Sequence, residues 1–394
     1  MHYTENNVMR IAVDAHAIGR KLTGNETYIR NIIRELARTD EESEYLAFFS
    51  AEGAERHIPK RFATRQVSNN PFVRLGYQLP RELSRLKPDL VHVQYTAPLV
   101  CPVPVVAVVH DISYLDHPEF FPKSRALQLK VTVARTVKMA ARILTLSDYS
   151  RKAILRAYGI SDELVHVIPL GVDPCFRPMS RVAAVSGVRA SCGITAPYVL
   201  TVGDLQPRKN QVGLVKAFAE LLKDQPNLPH HLVLVGKETW HGQEVREAAR
   251  KSGVADRIHF TGFVTDEQLR ELYCGCDLFV FPSFYEGFGL PVLEAMACGR
   301  AVASSNATSL PEVADSSALL FDPMSIPEMV RAMRDLLVDP ELRARMERLG
   351  LQNAARFSWE RAARDTHAVY QLVAGRRRAA AAGVPARSSL VRRP

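Results

Sequence analysis

The 394-residue sequence contains no apolar run of the ~18 residues that a membrane-spanning helix needs. Its longest apolar segment, 99–109, contains two prolines and is predicted to lead into a buried strand. The first ten residues lack a basic segment followed by an apolar one, so we expect no signal peptide and a cytoplasmic protein. The six cysteines are scattered, so we expect free thiols. Cys274 and Cys276 have no second pair at zinc-site spacing, and no metal site is expected.

Positive charge is concentrated in the first half of the chain and at its end. Residues 1–190 carry 26 basic and 19 acidic side chains, and residues 376–394 carry six arginines and no acid. This distribution suits an acceptor that bears phosphate or peripheral contact with a membrane, and a solvated surface is the alternative. Nucleic-acid binding is not expected, because no recognisable module with interleaved basic and aromatic side chains is present.

Short apolar segments alternate with amphipathic helical patterns, which is typical of an α/β protein with parallel sheets. The alternation restarts after a segment rich in proline and glycine at about 168–180. We therefore predict two Rossmann-like domains that face each other across a cleft. The predicted units are a first domain over 1–178, a second domain over 179–356, a C-terminal helix over 357–375 and a disordered basic tail over 376–394.

Two candidate site segments lie in the first domain, after predicted strands, where open parallel sheets bind their ligands. The loop that contains Gly24 lies between a strand and a helix and could present backbone N–H groups to an anion. It lacks the G-x-G-x-x-G pattern, which disfavours a nicotinamide dinucleotide, and an ordinary turn is the alternative. His110 follows a strand and could donate a hydrogen bond or act as a base. A purely structural histidine is the alternative.

Two cations, Arg208 and Lys209, lie between a predicted strand and a helix that begins near Asn210. Their charges, together with the backbone donors and dipole of a helix N-terminus, would form a strong diphosphate site. Two solvated surface charges are the alternative.

The most informative segment is FPSFYEGFGLPVLEAMACGRAV at 281–302, a strand end, a loop and a helix start. Glu286 on the loop and Glu294 on the helix can each accept hydrogen bonds from vicinal hydroxyls, as sugars and ribose present. Gly287 and Gly289 allow the backbone to approach a ligand and to direct N–H groups at phosphate. Carboxylates would repel phosphates that they touched, so hydroxyl recognition is the expected role. A capped surface helix is the alternative.

Together these segments resemble retaining glycosyltransferases of family 4, which have the two-domain GT-B fold. The subgroup that they resemble in the first domain is rich in bacterial mannosyltransferases of surface-polysaccharide assembly. The resemblance covers about residues 8–375. The segments that carry it are TGNETYI (23–29), HDISYLDHPEFFP (110–122), VIPLGVDPCF (167–176), PRKN (207–210), 259–283, EGFGLPVLE (286–294) and SLPEVADSSALLFDP (309–323).

The resemblance implies that the second domain binds most of a nucleotide-diphosphate sugar. Arg208 and Lys209 would hold the diphosphate, and Glu294 would hold the ribose hydroxyls. Glu286 would contact the transferred sugar, and His110 would approach that sugar from the first domain. The implied backbone, base and junction contacts are Phe288, Gly289 and Leu290 at the diphosphate, Gly262, Phe263 and Val264 beside the base, and Gly24 at the acceptor junction.

The resemblance also implies transfer with retention of the anomeric configuration and without a metal or another cofactor. Many family members have Gly-Arg-Leu where this chain has Gly203-Asp204-Leu205, which leaves Arg208 as the companion of Lys209. The donor implied is GDP-mannose, with a UDP-sugar as the alternative, and the acceptor is a polysaccharide or a lipid-linked glycan. A sugar-nucleotide epimerase and a non-catalytic sugar-nucleotide-binding protein are the other functions to be distinguished.

Overall fold

The computed structural model describes residues 8–20 and 23–381, in which the chain forms two parallel β-sheets. Within these residues the first sheet has seven strands, ordered β3-β2-β1-β4-β5-β6-β7. Its central strands β4 and β5 are mostly apolar and are buried because helices cover both faces of the sheet. The strands are β1 (Arg10–Asp14), β2 (Glu44–Phe49), β3 (Ala63–Gln66), β4 (Leu90–Gln94), β5 (Val105–Val108), β6 (Arg142–Thr145) and β7 (Val165–Val167).

The second sheet has six strands in the described ranges, ordered β10-β9-β8-β11-β12-β13. Every strand pair in both sheets is parallel. Its strands are β8 (Tyr198–Val202), β9 (His231–Val235), β10 (Ile258–Gly262), β11 (Leu278–Phe281), β12 (Val302–Ser305) and β13 (Leu319–Phe321).

Helices connect the strands and cover the sheets. The α-helices of the described residues are α1 (Thr23–Thr39), α2 (Pro71–Val73), α3 (Leu79–Leu86), α4 (Ser113–Asp116), α5 (Lys123–Met139), α6 (Asp148–Tyr158), α7 (Arg181–Cys192), α8 (Gln211–Asp224), α9 (Gly242–Lys251), α10 (Asp266–Gly275), α11 (Leu290–Ala297), α12 (Leu310–Ala314), α13 (Ile326–Val338), α14 (Pro340–Ala354) and α15 (Trp359–Ala381). Several have the caps that their sequences predict: Ser147 accepts a hydrogen bond at the start of α6, and Gly159 ends that helix. None of these helices is long and apolar enough to cross a membrane.

In each sheet the strand order reverses once, between β1 and β4 in the first sheet and between β8 and β11 in the second. At such a point the connecting loops leave in opposite directions, which opens a crevice at the carboxyl ends of the strands. The loops after β4, β5, β8 and β11 line one cleft between the two sheets. The fold therefore collects residues that are distant in sequence at a single place.

The last helix, α15, returns from the second domain to pack on the first. The hydroxyl of Tyr370, in the middle of α15, lies 2.7 Å from Nδ1 of the buried His92 on β4. At the start of the helix, a Cβ on Gly171 would lie 2.0 Å from the backbone nitrogen of Trp359. The chain thus crosses between the domains twice, at the connecting segment near Gly171 and at α15.

The predicted α/β class with two Rossmann-like domains is confirmed, and two details differ. The exposed edge strand β3 was not predicted, because ATRQ has no apolar alternation. The prediction that a disordered tail begins at residue 376 was wrong for residues 376–381, because α15 continues to Ala381. Arginine and alanine favour helix, and the Arg377 guanidinium donates to the carbonyl of Pro88. The rest of the predicted tail, 382–394, lies outside the described residues.

Candidate active site

A cleft of about 550 Å³ lies between the domains and is lined by residues of both. The predicted site residues that line the cleft are Gly24, His110, Arg208, Lys209, Phe263, Val264, Glu286, Gly287, Phe288, Gly289, Leu290 and Glu294. Gly262, which was also predicted to belong to the site, ends β10 with φ 70° and does not line the cleft.

An ion-paired triad lies on the second-domain wall of the cleft. Nη1 of Arg208 lies 2.9 Å from one carboxylate oxygen of Glu286, and Nζ of Lys209 lies 2.6 Å from the other. Burial by itself would raise the pKa of Glu286, but the two positive charges outweigh it and hold the pKa below its ordinary value. Burial also lowers the pKa of Lys209. With one carboxylate between two cations, the triad keeps a net positive charge that can attract an anion.

The backbone around the triad is fixed by Asn210, which the sequence analysis used only to mark the start of a helix. Asn210 adopts a left-handed conformation with φ 54°, just before α8. Its buried side-chain amide donates to the carbonyls of Pro282 and Pro323, at 3.1 and 2.9 Å. It thereby ties the loop after β8 to the loops that follow β11 and β13. The backbone N–H of Phe284 also donates to the carbonyl of Arg208, at 2.8 Å.

The glycine-containing loop 286–289 leads directly into α11, where the backbone N–H of Leu290 lacks a partner within the helix. Pro291 has no N–H, and the N–H of Val292 donates to the carbonyl of Gly289 at 3.0 Å. Two residues at the start of α12 hold this loop. Thr308 accepts a hydrogen bond from the backbone N–H of Glu286, at 3.0 Å. The hydroxyl of Ser309 lies 2.9 and 3.0 Å from the carbonyls of Glu286 and Phe288. The helix N-terminus therefore faces the cleft in a fixed orientation and can bind an anion.

Glu294 lies one turn into α11 and is hydrogen-bonded to a buried tyrosine. The hydroxyl of Tyr273, on α10, donates to Oε2 of Glu294 at 2.9 Å. Burial raises the pKa of Glu294 to about 7, although the hydrogen bond from Tyr273 acts in the opposite direction. The carboxylate thus titrates near neutral pH and has one oxygen available for hydroxyls in the cleft. The sequence analysis did not identify Tyr273, because α10 gives no indication of what its buried face contacts.

His110 lies two residues beyond the end of β5 and is buried at the cleft wall. Its Nε2 lies 2.9 Å from the side-chain amide of Gln94. Burial lowers the pKa of His110 to about 4. The ring is therefore neutral at pH 7. The rings of Tyr28 and Tyr95 pack against it at 5.0 and 5.4 Å.

Gly24 lies in the first turn of α1, not in the predicted loop. A Cβ at this position would meet no atom within 4 Å, so close packing does not require glycine there. Phe263 is exposed at the cleft rim, with Nζ of Lys237 5.4 Å from the centre of its ring. Val264 is partly buried beside it.

The two domains contact each other around the cleft. The hydroxyl of Ser147 in the first domain donates to the carbonyl of Gly287 at 2.8 Å. The carboxylate of Glu312 in the second domain accepts hydrogen bonds from the backbone N–H groups of Asp148 and Tyr149, at 3.2 and 3.3 Å. These hydrogen bonds hold the two domains in a closed arrangement around the cleft. Of the residues that fix this arrangement, Ser147, Asp148 and Tyr149 lie outside the motifs that identified the site, whereas Gly287 and Glu312 lie within them.

One salt bridge also joins the two domains: Arg30 on α1 lies 3.1 Å from Asp266 on α10. Arg34 on α1 binds Asp173 of the connecting segment at 3.0 Å. All six cysteines have free thiols; Cys274, Cys276 and Cys298 are buried, and Cys101, Cys175 and Cys192 are partly buried. No group of three or more potential ligands among the residues described here could hold a metal ion.

Comparison with known proteins gives concordant results. A family model of group 1 glycosyl transferases matches residues 193–352, and a model of glycosyltransferase family 4 matches residues 22–175. The O-antigen chain mannosyltransferase B of Escherichia coli is 34% identical over 268 residues, covering 68% of this chain and 70% of that protein. The serotype-specific mannosyltransferase WbdA of Escherichia coli is 29% identical over 293 residues, covering 70% of this chain and 36% of WbdA.

A solved structure of HepE from Anabaena in complex with UDP-glucose has the same fold. It superposes with a TM-score of 0.71 and 23% identity, covering 94% of this chain and 100% of that one. The two facing parallel sheets with a cleft at their switch points are those of a glycosyltransferase with the GT-B fold. As the matched family models and the relatives show, the chain belongs to glycosyltransferase family 4.

We predict that Gly287→Ala opens the cleft. A Cβ at this position would lie 2.4 Å from the carbonyl oxygen of His110, across the domain contact. The backbone of Gly287 is outside the left-handed region, so the obstruction is purely steric. Small-angle X-ray scattering should report a larger radius of gyration for the variant than for the wild type. Gly375→Ala, where a Cβ meets no atom within 4 Å, is the control. Unchanged scattering from the Gly287 variant would contradict the prediction.

We predict that Tyr273→Phe raises the pKa of Glu294 above its value of about 7. The lost hydrogen bond stabilises the ionised carboxylate, and such bonds are worth about 1.5–3 kcal/mol, or roughly one pKa unit or more. Carbon NMR titration of the Glu294 carboxyl measures the shift, and Glu294→Gln assigns its signal. Tyr198→Phe is the control, because its buried hydroxyl donates to the carbonyl of Leu272 instead. Equal titration midpoints in the two tyrosine variants would show that the hydrogen bond does not set the pKa.

Proposed function

We propose that this enzyme transfers mannose from GDP-mannose to a hydroxyl of a polysaccharide or lipid-linked glycan, with retention of configuration. The observation that carries the proposal is the ion-paired triad of Arg208, Lys209 and Glu286 beside the N-terminus of α11, in the same cleft as Glu294. The two mannosyltransferase relatives support mannose as the sugar. We propose that the reaction needs no metal or other cofactor, because these cations and the helix N-terminus would hold the diphosphate.

In this proposal the second domain holds the donor. Arg208 and Lys209 bind the diphosphate together with the backbone N–H groups at the start of α11. Glu294 accepts hydrogen bonds from the ribose hydroxyls, and Phe263 and Val264 lie beside the base. Glu286, bonded to both cations, reaches the junction of the sugar and the diphosphate and accepts from a sugar hydroxyl.

The chemical step breaks the bond between the anomeric carbon and the diphosphate oxygen. The bond to the acceptor hydroxyl oxygen forms on the same face of the sugar, and the hydroxyl proton passes to an oxygen of the departing phosphate. Negative charge that grows on the diphosphate is stabilised by Arg208, Lys209 and the helix dipole. A short-lived covalent adduct is the alternative route to retention.

In this proposal His110 approaches the sugar from the first domain. Because burial lowers its pKa to about 4, it contacts the sugar as a neutral ring at pH 7. The carbonyl of His110 lies against Gly287, which excludes water where the domains meet. Exclusion of water limits hydrolysis of the donor.

Donor identity is tested by thermal shift of the purified protein with GDP, UDP, ADP and their common sugar conjugates, without metal. A ligand that binds only the folded state at ~100 times its Kd adds about 2.7 kcal/mol of stability, which corresponds to a rise of several degrees in Tm. We expect GDP and GDP-mannose to raise the Tm and the other nucleotides to leave it unchanged. Selective stabilisation by a UDP-sugar would refute GDP-mannose as the donor and would leave the assignment of the site residues unchanged. No shift with any nucleotide would favour a protein without this activity.

Substitution of the site residues tests the reaction. We expect Lys209→Ala and Glu294→Ala each to lower kcat/KM by at least ~100-fold, because each removes a charge that contacts the donor. Lys216→Ala and Glu220→Ala, on the exposed face of α8, are the matched controls. Full activity in either site variant would refute its assignment. Consumption of the donor without an acceptor would instead indicate an epimerase, and tight binding without turnover a non-catalytic protein.

A cytoplasmic location with peripheral contact at the membrane remains a prediction. The basic first half of the chain supports it through its attraction for anionic surfaces.

A further inference from the structure

The first domain exposes a set of large apolar side chains on three segments of its surface. Each of them is at least 60% exposed, although side chains of this size gain free energy when they are buried. We call this set the apolar ridge. Its residues are Phe72 (83% exposed), Tyr77 (60%), Leu99 (64%), Val100 (69%), Leu127 (63%) and Val131 (61%).

The three segments that carry the apolar ridge are joined by hydrogen bonds. The backbone N–H of Leu99 donates to the carbonyl of Leu75 at 2.9 Å, which joins the loop 96–100 to the helical segment of Phe72 and Tyr77. On the other side of that loop, Arg135 of α5 donates to the carbonyl of Pro98 at 2.8 Å.

The α5 part of the ridge continues from this contact. Leu127, Val131 and Arg135 are spaced four residues apart and therefore share one face of the helix. The hydroxyl of Thr136 accepts a hydrogen bond from the backbone N–H of Ala97, at 2.8 Å. The loop is thus fixed between α5 and the helical segment, and the ridge does not depend on a mobile element.

The charges beside the apolar ridge are positive. Helix α5 carries five basic residues and no acidic one over its 17 positions. Lys123, Lys130 and Lys138 on this helix are exposed, as is Arg81 beside Tyr77. The acid nearest in sequence to Arg81, Glu82, is bonded to Arg85 at 2.8 Å. An apolar surface framed by cations fits an anionic lipid bilayer, in which apolar side chains enter the interface and the cations meet headgroups.

A second copy of the chain would fit this surface less well. In a symmetric pair the same patch faces itself, which would bring the cations of one α5 close to those of the other. We propose that the apolar ridge and the exposed cations of α5 form the surface with which this protein binds an anionic bilayer.

The position of the ridge connects membrane contact with the cleft. Arg125 and Leu129, on α5, and Phe121, just before it, line the cleft, while Leu127 and Val131 of the same helix lie on the outer ridge. A bilayer on the ridge would therefore lie against the face of α5 opposite the one that lines the cleft. For the proposed function, it would hold a membrane-anchored glycan acceptor on the first-domain side of the cleft. That last step depends on the proposed function, whereas binding to the bilayer does not.

The test is co-sedimentation of the full chain with two kinds of vesicle. One is phosphatidylcholine alone, and the other contains phosphatidylcholine and phosphatidylglycerol in equal parts. We expect binding to the anionic vesicles at low salt, at least ~10-fold weaker binding to the neutral ones, and loss of binding as salt screens the charges. Failure to sediment with anionic vesicles at low salt would overturn the proposal.

Matched variants locate the surface. We expect the triple variant Leu99→Gln, Leu127→Gln, Val131→Gln to lower the vesicle partition coefficient at least ~10-fold, because it removes apolar area that would enter the interface. The double variant Lys130→Gln, Lys138→Gln should reduce the part of the vesicle binding that is lost when salt is added. The controls change equally exposed residues of the second domain, in the apolar pair Trp240→Gln and Met324→Gln and the charged pair Lys216→Gln and Arg345→Gln.

Two results with these variants would contradict membrane binding by the apolar ridge. Wild-type partitioning in the triple variant would overturn the proposal, because membrane binding would then come from elsewhere in the chain. A dimer in sedimentation equilibrium that the triple variant converts to a monomer, without vesicle binding, would assign the ridge to a second copy. The nucleotide thermal shift shows that each variant is folded, and it distinguishes failure of this proposal from failure of the proposed function.

Discussion

The pairing of Glu286 with Arg208 and Lys209 is the interaction around which the active site is arranged. Two like charges on adjacent residues of a largely buried loop would repel each other and lose hydration, and a carboxylate between them offsets both effects. The pairing also joins the loop after β8 to the loop after β11, on either side of the switch point of the second sheet. A positively charged site and the geometry of the cleft therefore have the same physical origin.

The second constraint is the contact between the domains. The backbone of Gly287 meets the backbone of His110 so closely that a single methyl group would separate them. Ser147 and Glu312 add hydrogen bonds that bridge the same boundary. The groups that would act on a donor are thus assembled by closure, because each domain supplies only one wall of the cleft.

Much of the fold and of the site could be predicted from local sequence. Buried parallel strands are mostly apolar, so the alternation of strands and helices was recognisable, and candidate residues were found because they follow strands. Strand β3 was missed because ATRQ lies exposed at an edge, where burial does not impose an apolar pattern. Gly24 was placed in a loop, although α1 begins before it, because glycine weakens the helical signal without preventing a helix.

The sequence by itself determined the family, through the resemblance of its motifs to known members. It also determined the α/β architecture and the positions that carry charge beside the cleft, since these depend on periodicity and spacing along the chain. Only the tertiary structure decided which groups those positions meet. Glu286 binds cations 77 and 78 residues away, Glu294 is held by Tyr273, and His110 is neutral because it is buried beside Gln94. Partners and pKa values depend on packing between distant segments, and no local pattern in the sequence encodes that packing.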